Sequence, residues 1–504
     1  MNQNNISAAE LFLRVRELLI LPELEPKTRN KMMHDTLILC CHEGVKETKQ
    51  AFGNLFSQVD YLCKAHGIKV ADKIAIQTMR RHSNSQEPLS SEDLKYDARA
   101  LAIFISAVFG VDVPHELNVL IPHTNRPYQK GLEINNRRIR CIVKNWDSDF
   151  IRVDIDQDAD EEEYLVQLKD EENHIDHTYL WDILKEGMQL NLLDCQVKQP
   201  IITPRLIVVE PDYLVDISSI ATCFTAFGHH PLLYLLNQMK PRANTQATLL
   251  GNFAGAALDD IINTNGKYQM NETIKTNFRE KALEFCTCPW FDAKKFYTDA
   301  NQQAFNLQQV VDILFPRTAS QAQMSAFRGE SLYDRKKAIL EPSFVCEALG
   351  IQGRVDLMTT DCKLLVEQKS GRNMNIETHQ VDPGYHSYQL EPHYVQLLLY
   401  YGVLQHNFKL SNDRVNIRLL YSKYQPQDGL MVVAYYQKLF KEAIEYRNQL
   451  VAASFEIAKE GFEHALNEFT PDVLNVAGTQ DFFYNKYLKP QIEAITSPLH
   501  NLTP

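Results

Sequence analysis

Up to about Val113 the apolar positions recur at helical spacing, as in the run from Ala8 to Leu19 with Ser7 available as an N-cap. The Ser- and Glu-rich stretch from Arg81 to Asp93 interrupts that pattern and reads as an exposed loop. From roughly Glu116 to Pro204 the pattern changes to short β-like runs, Arg138–Val143, Phe150–Val153 and Tyr164–Leu168 among them. Several such runs in one domain-sized segment predict a small barrel of the OB type, which either binds single strands or serves as a spacer. Apolar runs near Ile207, Val355, Val366 and Leu419 lie among helical stretches and predict a mixed α/β core, after which Tyr435–Gly461 and Thr479–Ile495 read as helices. The expected division is a helical domain over 1–115, an OB-like β-barrel over 116–204, an α/β domain over 205–437 and a C-terminal helical extension over 438–504.

Within the α/β segment, Gly353–Met358 and Leu364–Lys369 are joined by the polar turn Thr359–Lys363, the pattern of a β-hairpin. Alternation along a strand puts Glu367 and Lys369 on one face and Val366 and Gln368 on the other, with Asp356 on the first strand beside Glu367. Two carboxylates converging there suit a hard divalent cation, Mg2+ or Mn2+, with water and phosphate oxygens completing its shell. The neighbouring ammonium can orient a nucleophile or neutralise developing charge. The alternative is a surface hairpin whose Glu and Lys pair across solvent. Charges at the end of the buried-type run Leu364–Val366 speak against it, because an unpaired buried charge is expensive. Further on, Pro392 suits a helix start in Glu391–Tyr401, where His393, Gln396 and Tyr400 share one face. That helix either lines a cleft with its polar strip or is a core helix whose polar groups neighbouring backbone satisfies.

Gly353-Arg354-Val355-Asp356, then Glu367-Gln368-Lys369, then Gln396 and Tyr400 in a Gln-x-x-x-Tyr helix, resemble the RecB-type branch of the PD-(D/E)XK nuclease superfamily. The resemblance implies a restriction-endonuclease-like mixed sheet core and Mg2+-dependent hydrolysis of DNA phosphodiesters. It implies catalytic roles for Asp356, Glu367 and Lys369, and substrate contacts from Gln396, Tyr400, Arg354 and His393. Metal ligation is implied for Asp356, Glu367, the Gln368 carbonyl and a preceding acidic residue, which Glu347 fits and Glu341 fits less well. The family also carries an upstream helix with a metal-binding His; the matching helix here is Gly255–Ile262, with Asp259 where that His would stand. This departure keeps an oxygen ligand for Mg2+ or Mn2+.

Ile207–Cys223 is similar to the start of the nuclease region in the replication and repair nuclease-helicases that trim Okazaki flaps and resect broken ends. Those enzymes hold an iron-sulfur cluster with one Cys near this point and three after the Gln-x-x-x-Tyr helix. No cysteine follows Cys362, so no iron-sulfur cluster of that kind is expected, and Cys223 reads as a buried thiol. The resembled enzymes continue into a helicase, which leaves room for a helicase region in a longer polypeptide. This chain shows no Gly-x-x-x-x-Gly-Lys-Ser/Thr phosphate cradle, since Gly266-Lys267 is followed by Tyr268. The likeness runs from Ile207 to Tyr401 and does not touch the first two hundred residues.

With 504 residues, 44% hydrophobic and 23% charged, the chain has the make-up of a soluble globular protein and the length for two to four domains. No apolar run approaches bilayer length and Met1–Asn5 is not a signal peptide, so a cytoplasmic location without membrane contact is expected. Ten irregularly spaced cysteines fit reduced thiols, and neither Cys286-Thr287-Cys288 nor Cys40-Cys41-His42 has a second half for a metal site. A net charge of -12, much of it between Asp154 and Glu172, argues against a general nucleic-acid coat. It does not exclude a nuclease, because a channel can be basic beneath an acidic surface. His229, His230, Lys240, Arg242, Arg354, Arg372 and Lys423 are the basic candidates near the site. The expectation is a Mg2+-dependent deoxyribonuclease acting on single-stranded or flap DNA. A non-catalytic nucleic-acid-binding or assembly module with a degenerate nuclease fold stays open as the alternative, as does RNA as substrate.

Overall fold

Ser7 caps the first helix, Ala8–Ile20, reciprocally: its hydroxyl accepts the Glu10 N–H while the Glu10 carboxylate accepts the Ser7 N–H at 2.8 Å. The computed structural model from which this is read describes residues 6–21, 24–48, 51–52, 55–84, 88–126, 136–155, 164–171, 173–239, 244–264, 268–381, 388–411, 414–474 and 480–496. Lys240, Arg242, Gly266-Lys267 and the acidic stretch 158–163 lie outside the described residues.

The first helix packs with Pro26–Gly44, Leu55–Ala65, Val70–Asn84 and Ser91–Phe109 around Leu11, Val15, Met33, Leu37, Leu101 and Phe104. The loop expected over Arg81–Asp93 is shorter than its composition suggests. The preceding helix runs to Asn84, and Ser90 caps the next by accepting the Asp93 N–H. Glu92 and Asp93 are polar because they occupy a helix N-terminus, where negative charge is favourable.

The short β runs close into a five-strand barrel. Asn136–Trp146 pairs with both Phe150–Ile155 and Gln189–Lys198, and Phe150–Ile155 pairs with Tyr164–Gln167. Ile201–Thr203 completes the ring, parallel to Tyr164–Gln167 and antiparallel to Gln189–Lys198. Cys141, Val143, Ile151, Val153, Val166, Leu190 and Leu192 fill the interior. The strand expected near Ile207 does not join the following α/β core. Leu206–Val209 extends the barrel sheet along Leu190–Leu193, because only Pro204 and Arg205 separate it from Ile201–Thr203 and it stays on the same edge.

A second, mixed sheet of six strands runs in the order Ala51–Phe52, Leu430–Val433, Asn416–Tyr421, Leu364–Lys369, Leu357–Thr359, Ala338–Leu340. Leu364 and Val366 face the helices Gln246–Asn263 and Ala293–Leu314, whereas Leu365 and Leu419 face Glu391–Phe408 and Gln437–Glu460. Cover on both faces is why these strands read as near-continuous apolar runs. The fold is thus mixed α/β with a closed barrel. Among the described residues no helix is long and apolar enough to cross a membrane.

The single hairpin expected over Gly353–Lys369 is split between two sheets. Ile351–Arg354 lies in a three-stranded sheet between Val215–Asp216 and Ser343–Cys346, and the chain then crosses at Val355-Asp356 to the main sheet, where Leu357–Thr359 pairs with the start of Leu364–Lys369. Both edges of Ile351–Arg354 are already paired, so it cannot also pair with Leu364–Lys369.

Arg447, fully buried on Gln437–Glu460, joins the barrel to this core. Its guanidinium donates to the carbonyls of Val209, Glu210, Tyr213 and Gly350. Next to it, Asn448 accepts the Val209 N–H at 3.0 Å and donates to the Ile207 carbonyl at 2.7 Å. Gly350 has φ +61, and a Cβ there would fall 2.4 Å from Arg447 Nη2, so both conformation and space require glycine.

Candidate active site

Leu365, Glu367 and Lys369 share the strand face turned toward helix Glu391–Phe408. Lys369 Nζ donates to Glu367 Oε1 at 2.8 Å and to Gln396 Oε1 at 2.9 Å. One turn on from Gln396, the Tyr400 hydroxyl donates to the Arg354 carbonyl. The pairing of Leu364–Lys369 with Leu357–Thr359 ends at Val366, which frees the strand edge beyond it. There the Gln368 N–H donates to Asp356 Oδ2 at 2.6 Å and docks Asp356 beside Glu367.

Beneath the strand lies a polar network that sequence reasoning missed. The Gln368 amide donates to Ser422 Oγ at 2.7 Å, and Ser422 Oγ donates to Gln303 Oε1 at 2.6 Å. Gln303 donates to the Ser370 carbonyl at 3.1 Å and Asn306 to the Ser422 carbonyl at 3.0 Å. The available signal was a pair of amides, Gln303 and Asn306, within the apolar stripe of Ala300, Ala304 and Leu307.

Electrostatics define the cluster. Glu367 is 2% exposed, and its Oε2 is buried without a well-formed hydrogen bond among the described residues, although the Asp356 N–H faces the carboxyl. Burial first, then the charge of Asp356, pushes the Glu367 carboxyl up to about 8 despite Lys369. Burial also raises Asp356, against the favourable Gln368 N–H. Asp259, on helix Gln246–Asn263, is pushed up to about 7 by burial and then by Glu341 and Asp356. Glu341 holds a left-handed backbone at φ +49, unusual for its residue type. Its N–H donates to the Asp356 carbonyl at 2.9 Å, and its carboxylate lies 3.0 Å from the Arg354 guanidinium.

Asp259, Glu341, Asp356 and Glu367 therefore feel one another's charge, although no three of them bring carboxylate oxygens within 4.8 Å of one another. Glu347 is not brought to them: it lies at the end of Ser343–Cys346 remote from the Ser343–Arg354 pair, about 13 Å along the strand at some 3.3 Å per residue. Its side chain is 76% exposed and 3.8 Å from Arg138. His393 lies near Lys369 but is engaged with the Tyr421 hydroxyl at 3.0 Å, and burial pushes it down to about 3, so it is neutral. Most of the other basic candidates are committed elsewhere. His229 is buried between Glu391 and Glu442 at 2.9 and 3.0 Å; burial lowers its pKa, but these hydrogen bonds outweigh that and hold it up to about 9. His230 stacks on Phe469, while Arg372 and Lys423 both pair with Glu377.

A buried carboxylate oxygen without a hydrogen bond, among carboxyls held above their usual range, is what a hard divalent cation would relieve, and the donors nearby are all oxygens, the chemistry Mg2+ or Mn2+ takes. In the ion-free protein, Glu367 and Asp259 keep protons that the unfolded chain releases from its ordinary carboxyls near pH 4. Their contribution to stability is whole below that pH and is lost as pH rises through about 7 and 8. A cation must displace those protons, so its stabilisation grows over the same window. Millimolar Mg2+ should raise the thermal midpoint by roughly 2 °C or more near pH 8 and by less than about 0.5 °C near pH 5. Scanning fluorimetry checks this, and an equal shift at both pH values contradicts it.

No protein-family model matches the chain, and no curated protein matches it.

Proposed function

We propose that the chain is a metal-dependent nuclease of the PD-(D/E)XK type, RecB branch, hydrolysing phosphodiester bonds in single-stranded or flap DNA. One observation carries this reading: Lys369 spans Glu367 and Gln396 beside Asp356, and one buried Glu367 oxygen is left without a well-formed hydrogen bond. The mixed sheet with helices on both faces supports a restriction-endonuclease-like core. The barrel's ring order of first, second, third, fifth and fourth strand supports an OB-type module, a class that binds single strands.

Asp356, Glu367 and the Gln368 carbonyl, which leaves the same strand edge as the Gln368 N–H, would hold Mg2+, with Glu341 in the place foreseen for Glu347 and Asp259 completing the set once their side chains close on the ion, since no three of these carboxylates lie within 4.8 Å of one another without it. When bound, the ion supplies Lewis-acid polarisation of a phosphate. Lys369, oriented by two acceptors, neutralises charge developing on the phosphorus oxygens. Gln396 and Tyr400 hold Lys369 and the Arg354 backbone in register. The test is digestion of labelled flap, duplex and single-stranded DNA with Mg2+. Cleavage is expected for the parent protein and for Glu347→Ala within about twofold, a tenfold or larger loss for Glu341→Ala, and none for Lys369→Ala. Metal-dependent cutting that survives Lys369→Ala would remove the proposal.

A further inference from the structure

Beside the carboxylate cluster opens a cleft of about 550 Å3, and its lining includes Arg354, Gln396 and Tyr400. Away from Arg354 its walls change character. Asp216, Ser218, Ser343 and Gln352 bring polar edges, while Phe344 and Val345 bring carbon surface. Register explains the arrangement: Asp216, Gln352 and Val345 stand side by side across three adjacent strands. Asp216 is exposed, and its Oδ1 accepts from Gln352 Nε2 at 3.1 Å.

The chemistry of these walls selects against phosphate and in favour of a base. Among the described residues Arg354 is the one cation in the lining, and it is already engaged with Glu341 at 3.0 Å, whereas the far wall carries the Asp216 carboxylate, which repels phosphate. A nucleobase offers apolar faces together with a polar edge, the combination these walls present. The volume falls within the roughly 300–1,000 Å3 of small-molecule sites, enough for one nucleoside and too little for a duplex with a major groove alone about 12 Å wide. A carboxylate with its amide neighbour accepts from an exocyclic amine, as in pairing with cytosine N4, whereas an unpaired thymine offers only its N3–H, recessed between two carbonyl oxygens that repel the carboxylate.

The geometry points to a nucleobase subsite: the cleft takes one base of an unpaired strand next to the cleaved phosphate and prefers a base with an exocyclic amino group, Asp216 accepting from that amine. This rests on the nuclease reading for its substrate, and it is tested by binding rather than cleavage so that the two can fail separately. Full-length Lys369→Ala protein is titrated with fluorescent oligo-dC and oligo-dT of about 15 nucleotides at mildly alkaline pH, with anisotropy as the readout. Oligo-dC should bind roughly tenfold tighter than oligo-dT, the factor one charge-assisted hydrogen bond supplies. Adding Asp216→Asn, which keeps a good N-cap residue before helix Ile217–Ala221, should abolish the preference and leave oligo-dT affinity within about twofold. Equal affinities for the two strands, binding to neither, or a preference that survives Asp216→Asn would overturn the subsite. Failure of the parent protein to cut any strand would instead sink the nuclease reading, while the base preference remained measurable.

Discussion

Asp356→Asn protein should fold with an unchanged or slightly higher thermal midpoint and cleave labelled single-stranded DNA at least about a thousandfold more slowly than the parent. The two halves of this expectation have one cause. Asp356 is a desolvated carboxylate whose charge raises the pKa of both Glu367 and Asp259, so neutralising it removes repulsion from the ion-free fold. The asparagine carbonyl can still accept the Gln368 N–H that Asp356 Oδ2 now takes at 2.6 Å, which leaves no buried donor orphaned. What disappears is the charge that brings a divalent cation to Glu367. Timed digestion with gel readout, alongside a melting curve, reads both quantities. Cleavage at the parent rate by a well-folded variant would mean that the carboxylate cluster is not the active centre.

Arg447→Ala should have the largest effect on stability, a loss of about 4 kcal/mol or failure to accumulate as soluble protein. The side chain is fully buried and offers its donors to four main-chain carbonyls, those of Val209, Glu210, Tyr213 and Gly350, without a carboxylate partner. Truncation removes a large side chain from the core and leaves those carbonyls without their donor in a place water reaches poorly. Arg447→Lys keeps a charge but not the planar fork and should recover less than half of the loss. Denaturant midpoints followed by tryptophan fluorescence measure the effect, and a change below about 1 kcal/mol for Arg447→Ala would show that the clamp is dispensable. Because the clamp joins the barrel edge to the α/β core, limited proteolysis near Val209–Tyr213 should accelerate in the same variant.

Much of the candidate site was legible because its residues lie on regular elements. Period-two alternation places Glu367 with Lys369 and opposite Gln368, and helical spacing puts Gln396 and Tyr400 on one face; the contacts of Lys369 follow from those two facts. The acidic residue preceding Asp356 was not legible. Glu341 and Glu347 lie on either side of one short strand, and only the register of Ser343–Cys346 against Ile351–Arg354 shows which end meets Asp356. Likewise Asp356 resembles a strand residue until both edges of Ile351–Arg354 are seen to be occupied. His229 resembles a free cation in a sequence, because carboxylates as distant as Glu391 and Glu442 cannot be assigned to it without coordinates.

The amino-acid order alone settled the local matters: where helices begin, as at Ser7, which strands are buried on both faces, and which side chains share a strand face. These depend on backbone periodicity and on hydrogen bonds a few residues apart. Tertiary structure alone decided which carboxylates meet, that Leu206–Val209 joins the barrel, and that one arginine binds four distant carbonyls. Those outcomes depend on strand register and on burial shared by elements far apart in the chain, and neither leaves a periodic trace in the residues themselves.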